Sequence, residues 1–83
     1  MNHNPTWEEQ IQEIVAMQKA PPGKFRVLGV DSFANPPLGE PYVLCDCADK
    51  DSAIEMARSH GGPFNPHYVY NENGDYIFGA GSK

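Results

Sequence analysis

The chain has 83 residues and a formal net charge of −5, with 40% hydrophobic and 20% charged residues. That is the balance of one small globular domain, of a size that buries only about 60–65% of its unfolded surface. The six basic residues, Lys19, Lys24, Arg26, Lys50, Arg58 and Lys83, form no run and share no helix face, which excludes the clustered charge that nucleic-acid or anionic-membrane binding needs.

No stretch approaches the roughly 18 apolar residues of a membrane helix. Residues 1–5 have neither the basic start nor the apolar stretch of a secretory signal and are expected to be disordered. Two cysteines make no disulfide framework. A cytoplasmic, reduced protein is expected.

Residues 6–20 read as an N-terminal helix. Thr6-Trp7-Glu8-Glu9 fits a capping box, in which the Thr6 hydroxyl and the Glu9 carboxylate satisfy free amide donors reciprocally. Trp7, Ile11, Ile14 and Val15 make one apolar stripe at helical spacing. Pro21-Pro22-Gly23 ends the helix.

Residues 24–83 read as a ββαββ domain. Lys24–Phe33 is a strand with apolar residues on both faces, hence central; Phe25, Val27, Gly29, Asp31 and Phe33 share one face. Gly29 marks a close approach by another group. Ala34–Pro41 is a loop. In the strand Tyr42–Cys47, simple alternation turns Val43, Cys45 and Cys47 one way and Tyr42, Leu44 and Asp46 the other. A second helix follows, Ser52–His60, capped by Asp49 or Asp51, with Ser52 to Glu55 as an alternative capping box and Gly61 as the expected left-handed C-cap. Ala53, Ile54, Ala57 and His60 form its narrow inner stripe. His67–Tyr70 and Tyr76–Phe78 are a hairpin, joined by a loop containing Asn73-Gly74. The predicted fold is α+β, in the order α-β-β-α-β-β, with a four-stranded antiparallel sheet, one helix on a face, and an N-terminal amphipathic helix that covers the sheet or docks elsewhere.

Five groups could carry chemistry. Cys45 and Cys47, at i and i+2 on a strand, share a face and could hold a metal with His60, His67 or Asp49, but zinc motifs usually set paired cysteines further apart, on a turn. The commoner role of such residues is core packing. A reactive thiol would need a lowered pKa. A Cys47–histidine nucleophilic pair has no local signature. Asp46, Asp49, Asp51 and Glu55 lack the alternation and central glycine of a calcium loop. The glycines at 79 and 81 open no helix, so no phosphate cradle forms. Tyr68 and Tyr70 share a face, but Glu72 and Asp75 beside them do not suit base stacking; if exposed, the tyrosines suit a protein interface.

The run Lys24-Phe25-Arg26-Val27-x-Gly29-Val30-Asp31-x-Phe33, a helix ending Gly61-Gly62, then Tyr68-Val69-Tyr70-x-x-x-Gly74 and Gly79-x-Gly81-Ser82, resembles a group of short uncharacterised bacterial proteins. The resemblance covers residues 24–82 and leaves out the first helix and the Cys45-x-Cys47 pair. It implies a bacterial or phage source and no particular activity.

A non-enzymatic protein-binding or regulatory role is therefore expected, with no cofactor, no nucleic acid and no membrane. The partner would be another protein or a second copy of the chain, with Trp7, Ile11, Ile14, Tyr68 and Tyr70 as interface candidates. The alternatives are a metal- or thiol-dependent module built on Cys45 and Cys47 with His60 or His67, and a small-ligand domain whose pocket is lined by Phe25, Tyr42 and Phe64.

Overall fold

The computed structural model describes residues 7–34 and 39–80. The expectations for residues 1–5, the Thr6 cap, the Trp7 side chain and the last three residues lie outside what it describes. The order is α1 (Trp7–Met17), β1 (Phe25–Asp31), β2 (Glu40–Cys47), α2 (Lys50–His60), β3 (His67–Tyr70) and β4 (Tyr76–Ala80). This is the α+β order expected.

The strands form one antiparallel sheet in the order β2-β1-β3-β4. β1 is central, as its two apolar faces require. On one face Val27 and Val69 pack against Ala53 and Ala57 of α2, all four fully buried. The two alanines let the helix lie close on the strands. Phe25, Cys45, Cys47, Ile54, Met56 and Phe78 surround this centre. On the other face Leu28 is buried, and the C-terminal end of α1 comes down on the sheet. Arg26 Nη1 donates to the Met17 carbonyl at 3.3 Å and Gln18 Nε2 to the Tyr70 hydroxyl at 3.4 Å. Ala20 N donates to Asn71 O at 3.1 Å and Gly23 N to Glu72 Oε1 at 2.8 Å, tying the α1–β1 connection to the β3–β4 hairpin.

Several local expectations are corrected. β2 begins at Glu40 and includes Pro41, which had been assigned to the loop. The strand lies at the sheet edge, where a missing amide donor is tolerated. β2 also does not alternate simply. Val27 pairs with Cys45 but Leu28 pairs with Val43, so Leu44 is an extra residue in a β-bulge. The bulge reverses the faces upstream of it, and Tyr42, not Val43, shares the α2 face with Cys45 and Cys47. A second irregularity, between Val69 and Tyr70, pairs Tyr70 with Tyr76. It brings Tyr76 onto the face of Tyr68 and Tyr70 and leaves Phe78 on the α2 face.

Asp49 is the cap of α2: its carboxylate accepts from Ser52 N and Ser52 Oγ, both at 2.9 Å. Ser52 is thus a donor to the cap, and Glu55 pairs with Arg58 at 3.2 Å instead of closing a box. Gly61 is not left-handed; its φ of −68° and ψ of 141° are extended. Glycine is needed there for space, since a Cβ would stand 2.7 Å from the Ala80 carbonyl oxygen. In the hairpin loop, Asn71 Oδ1 accepts from Asn73 N and Asp75 N at 2.9 Å each, and Gly74 takes a φ of +83°.

Candidate functional site

The sequence candidates separate into three places. The first is the face opposite α2. Within the expected stripe of α1, Ile14 is half-buried while Ile11 and Val15 are 48% and 51% exposed. The helix therefore uses only one margin of its apolar surface on its own sheet. On the same sheet face Tyr68, Tyr70 and Tyr76 form a ring cluster, with Tyr76 at centroid distances of 6.4 Å from Tyr68 and 6.2 Å from Tyr70. Tyr76 is 62% exposed. Burial, and then the neighbouring phenols of Tyr68 and Tyr76, push the Tyr70 hydroxyl above its ordinary pKa. Tyr68 and Tyr70 are as placed by the alternation of β3. Tyr76 was missed, because its position depends on the β4 irregularity.

The second place is the cysteine pair. Cys45 and Cys47 share a face, both partly buried, with sulfurs 3.6 Å apart. Burial, followed by the hydrogen bond with Cys47, pushes the Cys45 thiol up to about 11. No histidine joins them: among the described residues no three His, Cys, Asp or Glu side chains are grouped so as to share a metal ion.

The third place is around His67, which is 1% exposed. Its Nδ1 lies 2.9 Å from the Asn65 carbonyl oxygen, which can only accept, so Nδ1 carries a hydrogen and donates. Nε2 lies 3.3 Å from the Tyr42 hydroxyl, which donates to Asn65 Oδ1 at 3.0 Å. The His60 ring stands 6.0 Å from that of His67, centroid to centroid. Beneath the cluster is Gly29, where an added Cβ would strike the Tyr42 ring and come within 2.8 Å of His67 Nε2. The close approach expected at Gly29 is thus Tyr42. The group is a polar clasp around one buried histidine, and it fastens β1, β2 and the α2–β3 turn together. Sequence reasoning named His60 and His67, gave Tyr42 only as a pocket residue and missed Asn65; the Leu44 bulge that carries Tyr42 to this face has no signature in the residue pattern.

The residues suggested for a ligand pocket are not gathered. Phe25 pairs with Cys47 at one end of β1, Tyr42 pairs with Gly29 four residues along, and Phe64 stacks on Phe33 at 5.3 Å, both rings largely exposed. Among the described residues no helix is long and apolar enough to cross a membrane. Comparison with protein-family models, with curated proteins and with solved structures finds no match.

Proposed function

We propose that the chain is a non-enzymatic protein-binding module and that its working surface is the outer margin of α1 with the adjoining tyrosine face. One observation carries this reading: an amphipathic helix seated on its own sheet leaves Ile11 and Val15 about half exposed. A helix whose apolar stripe is wider than its intramolecular seat has surface to spend on a partner. The tyrosines beside it are of the residue type that interfaces favour, with large rigid rings and a polar tip. The flanking Glu13 and the net charge of −5 keep this margin acidic. A second copy of the chain is the simplest partner, because the same stripe on two molecules can pair about a two-fold axis. The two unpaired cysteines suit a reducing cytoplasm.

Sedimentation of the protein across a concentration series, with chelator present, tests the self-association version. A dimer is expected, reduced to monomer by Ile11→Asp combined with Val15→Asp. The circular dichroism and melting temperature should stay close to those of the parent, since both positions are exposed. A monomer at every concentration, indifferent to the double substitution, would sink it.

A further inference from the structure

Cys45 and Cys47 are left unused by the protein-binding reading, and their arrangement is specific. Asp46, between them, turns to the opposite face, where Arg26 holds its two oxygens at 2.8 and 3.1 Å. That fork fixes the strand on either side and keeps both thiols on the α2 face, opposite Val27 and Phe25. Neither thiol is in a disulfide. Their spacing suits chelation. A tetrahedral ion with metal–sulfur bonds of about 2.3 Å sets its sulfurs about 3.8 Å apart, and the two sulfurs here are already 3.6 Å apart. Thiol sulfurs select soft cations over hard ones.

Among the described residues one chain supplies only two ligands, since no third His, Cys, Asp or Glu side chain joins the pair. The site is incomplete without another copy, and the topology offers a way to bring one. β2 is an edge strand, open to pairing along its outer side. Two β2 strands paired antiparallel about a two-fold axis at Asp46 set Cys45 of each chain opposite Cys47 of the other. Directly opposed residues have Cβ atoms about 4.5–5.5 Å apart, so four sulfurs meet on one face of a joined sheet. We propose that Cys45 and Cys47 are half of a four-thiolate site for a soft divalent cation of the zinc class, completed by the same two residues of a second copy. Each thiol gives its proton to solvent and a metal–sulfur bond replaces the S–H bond, with no change of oxidation state. Affinity accordingly rises with pH.

The test is titration of the reduced, chelator-stripped full chain with cobalt(II), followed by zinc(II). The expected result is a sulfur-to-cobalt charge-transfer band with tetrahedral visible bands, saturating at one ion per two chains and bleached by zinc. A native mass spectrum of the variant carrying Ile11→Asp with Val15→Asp should show two chains and one ion, returning to monomer with chelator. A dimer through Ile11 and Val15 would persist in chelator, so the two readings fail separately. Cys45→Ser with Cys47→Ser should abolish the band, and circular dichroism without metal reports whether that variant folds. One ion per monomer, no band, or a band that survives both serines would overturn the proposal. The stoichiometry of the unmodified chain decides it even if the serine variant misfolds.

Discussion

At Gly29 a single absent methyl group allows three elements to meet. The Tyr42 ring lies over its backbone, His67 Nε2 stands beside it, and the Asn65 carbonyl and amide hold the far side of the cluster. Among the described residues no buried side-chain nitrogen or oxygen lacks a hydrogen-bond partner, and both ring nitrogens of His67 have a polar atom within 3.3 Å. Gly29→Ala forces Tyr42 or His67 to move, and overpacking of this kind costs about 1–3 kcal/mol. Urea unfolding should show that loss as a lower midpoint at unchanged slope; an unaltered midpoint would mean that the clasp is loose enough to yield. Conformational freedom is not what this glycine supplies. Its neighbours occupy the volume, as the Ala80 carbonyl does at Gly61.

At the scale of elements, α2 depends on its first turn. The Asp49 carboxylate accepts two hydrogen bonds from Ser52, and these hold it below the ordinary carboxylate pKa, the backbone N–H contributing most. A carboxyl depressed in the folded state stabilises the protein above its unfolded pKa, and that contribution disappears as pH falls through the lower, folded value. The acid limb of a thermal-melting profile should therefore be shallower in Asp49→Asn, which keeps an acceptor for the turn but has no proton to take up. Identical limbs would show that the cap contributes no pH dependence.

The elements also show where residue patterns inform and where they fail. The α2 cap, the β3 span and the central place of β1 were legible because each rests on local chemistry: a side-chain acceptor, a period of two, apolar residues on both faces. The face assigned to Tyr42 was not. Alternation was read through Leu44 as though β2 were regular, and the extra residue there is absorbed only when β1 is laid beside it. The clasp around His67 was half-seen, since its histidine is visible in the chain while its partners are set by pairing. Gly61 was read as a conformational cap when the reason for it is a tertiary contact.

For the molecule as a whole, protection is layered. The central pair β1 and β3 carries Val27 and Val69, both fully buried, while β2 and β4 are edges and α1 rests on the sheet mainly through its last turns. Local opening should follow that order. In native-state amide exchange, the hydrogen-bonded amides of Val27, Leu28 and Val69 are expected to be slowest, those of β4 faster, and those of Ile11–Ile14 fastest. Slow exchange across α1 would mean that the helix is held along its full length, and the free margin inferred for partner binding would then be too small.

The Leu44 bulge means that β2 obeys two parities within eight residues. Downstream of Leu44 the odd-numbered positions belong to the α2 side; upstream the even-numbered ones do. Were β2 to pair with β1 as a regular strand, with Leu44 taken into the ladder opposite Leu28, Tyr42 would turn out toward the tyrosines and Val43 would take its place over Gly29. The composition of the strand would be unchanged, yet the histidine beneath α2 would lose its cover. Deleting Leu44 would instead leave the pairs Gly29–Tyr42 and Val27–Cys45 as they are, so the extra residue acts as the hinge pin between two half-strands whose faces it keeps in opposite parity.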